Sequence, residues 1–166
     1  GFTKGIKDEQ GKMLWYLVVA TIPAAIAGVL FEEVIENTIR KNYVVIALAL
    51  AVMGVIIYFA DKYSKSSNNL KKMTIKDALI IGCSQVLALI PGFSRSGTTI
   101  ATGRILGINR EDAAKFSFYL SAPVVCGALV LQLLKKATWT VIAANLGTFI
   151  LGVLISFVVG LLCIKY

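Results

Sequence analysis

The stretch Pro91-Gly92-Phe93-Ser94-Arg95-Ser96-Gly97-Thr98-Thr99 places one arginine among four hydroxyl side chains. A guanidinium presents a planar fork of N–H donors that matches phosphate oxygens, which the point charge of a lysine does not reproduce. Pro91 ends a preceding helix, and Gly92 permits a backbone geometry that a Cβ would forbid. Ser96 is expected to cap a second helix, whose free N–H groups would then point into the loop and favour an anion there. Ser94, Thr98 and Thr99 supply further donors, and Gly97, like Gly92, lets main-chain N–H groups come close to an anion. Together these residues predict a phosphate cradle. Ser96 keeps two roles open, cap and ligand. Gln85, upstream of the turn, either orients a metal ligand from behind or makes an ordinary uncharged hydrogen bond between helices. A plainer alternative also stands: a surface loop between two helices, with Arg95 as one more exposed charge.

Other chemistries are poorly supplied. Histidine is absent, and Cys83, Cys126 and Cys163 sit in apolar stretches without metal-ligand or disulfide spacing. Glu32, Glu33 and Glu36 form an acidic cluster, but Arg40 and Lys41 follow closely, so a solvated helix end with ion pairs is the expectation rather than a metal site. Arg104 is expected to offset the C-terminal dipole of the second helix, with a substrate contact as the alternative. The chain carries 17 basic and 9 acidic residues, net +8. The basic residues fall in short runs without interleaved aromatics, so no nucleic-acid partner is expected.

The elements that must position the cradle are membrane helices. Of the 166 residues 57% are apolar and only 16% charged, which fits neither an ordinary soluble domain nor a disordered chain. Uncharged runs cover Met13–Phe31, Tyr43–Ala60, the residues between Lys115 and Lys135, and the 28 between Lys136 and Lys165. A bilayer core of ~30 Å needs about 20 helical residues, so each run reads as a transmembrane helix. The last has room for tilt or for an interfacial start at Trp139. The three cysteines read as small buried apolar residues.

Residues 78–107 behave differently, because Pro91-Gly92 interrupts them and Arg95 follows. An arginine at membrane depth costs roughly 2.5–3.5 kcal/mol and normally lines a polar cavity. If this stretch enters and leaves on one side, Lys and Arg divide 12 to 4 between the two faces, with Arg95 inside. If it spans, they divide 10 to 7. Positive charge collects in cytoplasmic loops, so a re-entrant helix–loop–helix hairpin at about 75–107, open to the cytoplasmic side, is predicted. The Lys62–Lys76 linker would then touch anionic lipid heads. The expected fold is all-α and integral to the membrane, with about four spans plus the hairpin in a single domain.

The residues from Gln85 to Thr99 resemble the second signature of the undecaprenyl pyrophosphate phosphatase, or bacitracin-resistance, family: Pro-Gly-x-Ser-Arg-Ser followed shortly by Thr. Pro91 to Thr99 match it at every specified position. Asp77–Ile90 and the Gly107–Phe118 stretch fit as flanks. The resemblance extends through all 166 residues and is strongest over 73–130.

It implies a membrane hydrolase that removes the terminal phosphate of undecaprenyl pyrophosphate, built from inverted repeats with one re-entrant hairpin each. By this resemblance the catalytic residues would be Arg95, Ser94 and Thr99, with Arg95 binding the pyrophosphate and the two hydroxyls contacting it. Ser96, Gly97, Thr98, Gly92 and Gln85 would complete the substrate site. The family's first signature, Glu-x-x-x-Glu followed by a Ser-Ser-x-Gly-His-like segment, has no counterpart here. The expectation is therefore a truncated chain lacking its first repeat and last helix, inactive alone. Ligands for a divalent metal (Mg²⁺ or Ca²⁺) would lie in that first repeat. The implied setting is the bacterial plasma membrane, with a homodimer as a further expectation. A transporter or flippase for an anionic isoprenyl lipid is the competing reading, because broken helices and inverted repeats also build transporters. A non-catalytic lipid-binding scaffold is the third.

Overall fold

The computed structural model describes residues 9–34, 42–65 and 68–165. Seven α-helices lie within them: α1 (Glu9–Val34), α2 (Tyr43–Tyr63), α3 (Ile75–Ser84), α4 (Arg95–Ile105), α5 (Arg110–Leu133), α6 (Lys136–Ala144) and α7 (Leu146–Lys165). The described residues contain no strand, only an isolated bridge between Asn68 and Ile108. Gly11–Phe31, Tyr43–Tyr63, Arg110–Leu133 and Leu146–Lys165 are long and apolar enough to cross a bilayer. The chain is an all-α membrane protein, and its outward apolar side chains suit lipid rather than water.

Residues 1–126 form one compact unit and 127–166 another. In the first, α1 packs on α3, α2 packs on α4, and α3 and α4 pack on each other. The α1–α3 crossing is close: a Cβ on Gly82 would lie 2.4 Å from the Ala20 carbonyl oxygen. Small residues let membrane helices approach in this way. Ala20, Ala78 and Ile81 share one buried cluster with Met73, Ile108, Ala113, Phe116 and Leu120. Met53, Ala60 and Ala101 form a second cluster between α2 and α4.

The hairpin has identifiable boundaries. Thr74 caps α3 reciprocally, its Oγ1 accepting from Asp77 N–H while the Asp77 carboxylate accepts from Thr74 N–H. A 3₁₀ stretch, Gln85–Leu89, continues α3, and Pro91-Gly92 then turns the chain with Gly92 at φ +104°. Helix α4 has 11 residues and rises about 16 Å, roughly half a bilayer core. At the base, Asn68 N–H donates to Gly107 O at 3.0 Å and Asn109 N–H donates to Asn68 O at 2.9 Å. The two ends of the hairpin are therefore pinned together.

In the second unit the expected single run from 136 to 165 is broken. Helix α6 has nine residues and ends at Asn145, whose side-chain amide donates to Val141 O. Trp139 Nε1 donates to Leu133 O at 2.7 Å, and α7 then begins at Leu146 with no buried residue. An asparagine that bonds its own backbone competes with helix continuation, which accounts for a short helix followed by a span instead of one tilted span.

Candidate functional site

Ser94, not Ser96, caps α4. Ser94 has extended backbone angles (φ −73°, ψ 124°), and its Oγ accepts from Gly97 N–H at 3.2 Å. The reason lies at Gly97, where a Cβ would sit 3.1 Å from Ser94 Cβ and 2.9 Å from Ile57 Cδ1. Glycine there lets the serine fold over the helix end while α2 packs beside it. Ser96 thus falls in the first turn, with its Oγ 3.3 Å from Ser94 Oγ. Gly97 N–H and Thr98 N–H are both bonded to Ser94, whereas the N–H groups of Arg95 and Ser96 make no hydrogen bond among the described residues. Two donors therefore remain at the N-terminus of α4.

A cavity of 500 Å³ opens beside this end, lined by residues from the hairpin and α5 that include Gln85, Arg95, Ser96, Thr99, Ser117 and Ser121. The Arg95 side chain is exposed and makes no ion pair or hydrogen bond with the described residues. Thr99 is 3% exposed, and its Oγ1 lies 2.7 Å from Ser117 Oγ and 3.1 Å from both Arg95 O and Ser96 O. Gln85, 2% exposed, donates from Nε2 to Ala20 O on α1 at 3.2 Å. Gln85 is thus the interhelical hydrogen bond left open by the sequence, and it also reaches the cavity wall.

The structure gathers Gln85, Arg95, Ser96 and Thr99 at the cavity and turns the other expected residues elsewhere. Thr98 Oγ1 donates to Ser94 O at 2.8 Å and faces Met53 Sδ on α2 at 3.4 Å. A Cβ on Gly92 would lie 2.6 Å from Ile46 O, so that glycine serves the approach of the hairpin tip to α2. Ser94 and Gly97 form the cap. Cys83, Cys126 and Cys163, read as buried from the sequence, are exposed, as side chains on outward apolar faces are.

Arg104 is the opposite of Arg95. It is 5% exposed; Nε donates to Asp61 Oδ1 at 3.1 Å and Nη1 to Ile108 O at 3.0 Å. Asp61 also accepts from Arg110. The expected dipole role for Arg104 is thereby joined to an ion pair that sequence reasoning missed. Asp61 is the only acid between Glu36 and Asp77, amid Lys62, Lys65, Lys71, Lys72 and Lys76, and that isolation was the available signal. Ser117 and Ser121 were missed too, although they recur four apart on α5 and so share a face.

Among the described residues no carboxylate lines the cavity, and no group of three His, Cys, Asp or Glu side chains could hold a metal ion. The described donor set, a guanidinium and hydroxyls, does not fit a divalent cation. Glu32 and Glu33 lie at the end of α1, while Glu36, Arg40 and Lys41 fall outside the described residues.

The family model for bacitracin resistance protein BacA matches residues 1–166. An undecaprenyl-diphosphatase of Elusimicrobium minutum is 48% identical over 166 residues, covering 100% of this chain and 61% of that protein. One from Caldicellulosiruptor bescii is 46% identical over 160 residues, covering 96% and 60% respectively. One from Methanobrevibacter smithii is 38% identical, covering 96% and 57%. The chain spans about three-fifths of the length of these curated relatives.

Proposed function

Because the chain belongs to the bacitracin resistance protein BacA family, we propose that the complete protein is a phosphatase of the bacterial plasma membrane that hydrolyses undecaprenyl pyrophosphate. The bridging P–O bond to the terminal phosphorus breaks, one water is consumed, and undecaprenyl phosphate and inorganic phosphate leave. Such a product is the lipid carrier for cell-wall precursors.

One observation carries this reading: among the described residues Arg95 has no partner at the mouth of a hydroxyl-lined cavity, and the two N–H groups beside it at a helix N-terminus make no hydrogen bond either. Phosphoryl transfer spreads negative charge over the phosphate oxygens, so fixed donors and a cation supply much of the stabilisation. The Arg95 fork would hold two oxygens of the terminal phosphate, with Ser96 Oγ and the Arg95 and Ser96 N–H groups completing the cradle. Thr98, Gly92 and Gly97 hold the tip in shape, and Ser94 fixes the helix start. Gln85 ties the cavity wall to α1.

The hairpin would re-enter from one face and meet a second tip from an inverted repeat outside this chain. Carboxylate ligands for a divalent cation are assigned to that same portion. A second copy of the chain covering part of the exposed apolar surface of α7 belongs to the same proposal. The test uses the full-length protein in detergent with undecaprenyl pyrophosphate and Mg²⁺ or Ca²⁺. Phosphate release by wild type, lost by at least 100-fold in Arg95→Ala and nearly as much in Arg95→Lys, is expected. Movement of the lipid between bilayer leaflets without phosphate release would replace the phosphatase with a flippase.

A further inference from the structure

Ser117 lies in the α5 sequence Phe116-Ser117-Phe118 and is 7% exposed, one helical turn before Ser121 on the face of α5 that lines the cavity. Its Oγ is 2.7 Å from Thr99 Oγ1, and both side chains line the cavity that Arg95 faces. Each hydroxyl has one proton and two lone pairs. In one arrangement Thr99 donates to Arg95 O and Ser96 O, and Ser117 donates to Thr99. In the other, Thr99 donates to Ser117, and the Ser117 proton turns into the cavity.

The first arrangement satisfies both protons within the protein. The second requires an acceptor in the cavity, because Ser117 has no other hydrogen-bond partner among the described residues. Little is lost at the helix when Thr99 turns, since the carbonyls of Arg95 and Ser96 belong to α4, whose ladder bonds them already. A phosphate oxygen supplies the missing acceptor, and a charged one strengthens the bond. Chained donors also polarise one another, so Thr99 behind Ser117 makes the serine a better donor.

We propose that Ser117 is a substrate-contacting residue that donates its hydroxyl proton to a phosphate oxygen, with Thr99 held behind it as the donor that frees that proton. The inference rests on the pyrophosphatase reading above and moves the direct contact expected of Thr99 onto α5. Arg95 and Ser117 then grip the headgroup from two helices, α4 and α5, with Thr99 joining them.

The test compares full-length wild type, Ser117→Ala, Ser117→Thr, Thr99→Val and the Ser117→Ala/Thr99→Val pair. KM and kcat for undecaprenyl pyrophosphate, inhibition by inorganic pyrophosphate, and melting temperature are measured for each. Loss of a hydrogen bond to a charged group should weaken KM and pyrophosphate inhibition about 10- to 100-fold in Ser117→Ala. Ser117→Thr, which keeps the hydroxyl, should recover most of this. Thr99→Val should cost less than Ser117→Ala, and the pair no more than Ser117→Ala alone. Wild-type turnover with unchanged KM and pyrophosphate inhibition in Ser117→Ala would overturn this inference alone, as would a fall in melting temperature as its only effect. Absence of phosphate release by wild type would remove the phosphatase reading and this inference with it.

Discussion

Asp61 Oδ1 accepts a hydrogen bond from Arg104 Nε at 3.1 Å, and through it the last turn of α2 holds the last turn of α4. Ser64 Oγ reinforces the junction by donating to Arg104 O, and Arg110 at the start of α5 binds the same carboxylate. Three helices thus converge on one acid at the base of the hairpin, the end opposite Arg95. The two arginines of α4 differ: Arg104 is enclosed and compensated, whereas Arg95 is exposed and has no partner among the described residues.

That division is measurable. Asp61→Asn removes the charge that compensates Arg104 while leaving its burial unchanged. Asp61 keeps 33% of its side-chain surface exposed, so the loss is expected to be smaller than that of breaking a fully buried pair. The melting temperature in detergent should fall for Asp61→Asn and stay at the wild-type value for Arg95→Ala. The reverse order would mean that Arg95 carries structure and the Asp61 junction does not.

The pinned base of the hairpin sets a topological expectation. Asn68 bonds both Gly107 and Asn109, so residues just before and just after the hairpin share one end of the bundle. Single cysteines placed at the exposed positions Lys65 and Glu111, in a background without Cys83, Cys126 and Cys163, should react with an impermeant maleimide from the same side of the membrane. Labelling from opposite sides would show that residues 75–105 cross the bilayer.

Much of this was legible in the sequence. The four long spans follow from uncharged runs, and the interrupted stretch follows from Pro91-Gly92 together with Arg95. Side-chain direction around the tip was not legible. A serine two residues earlier than expected caps α4, because Gly97 lets Ser94 fold back, and that register turns Thr98 toward Met53 while leaving Thr99 facing Ser117. Spacing along one helix cannot reveal such a choice when hydroxyls occur at four of six successive positions. Asp61 and Ser117 went unnoticed for a related reason: each acts through a partner about 20 to 40 residues away.

Gly92 offers a test of the tip itself. Its φ of +104° is disfavoured for L side chains, and a Cβ there would lie 2.6 Å from Ile46 O and 2.9 Å from Ala49 Cβ. Both contacts belong to α2, one of them to its backbone, so relief requires the tip to move off that helix. Gly92→Ala should therefore lower stability by about 2–3 kcal/mol and reduce turnover of the full-length enzyme by displacing Arg95. A Gly92→Ala protein with wild-type melting temperature and activity would mean that the tip can lift from α2 without consequence.

The last prediction concerns residues 1–166 by themselves. Phosphoryl transfer needs positioned donors and, in many enzymes, a cation held by carboxylates. Among the described residues the cavity beside Arg95 offers a guanidinium, hydroxyls and two N–H groups without a hydrogen bond, and no acid lines it. Arg95 is also exposed, which leaves its charge hydrated and its electrostatic effect weak compared with that in a closed, dry site. The relatives named undecaprenyl-diphosphatase have lengths of which this chain covers about three-fifths, so groups that would close and complete the cavity have somewhere to reside. Purified in detergent with Mg²⁺ or Ca²⁺, residues 1–166 should release no phosphate from undecaprenyl pyrophosphate. Co-expression with the remaining two-fifths of a full-length relative should restore turnover that depends on Arg95. Turnover by the isolated chain, abolished by Arg95→Ala, would place the whole catalytic set within these helices and refute the assignment of the cation and its ligands to a second repeat.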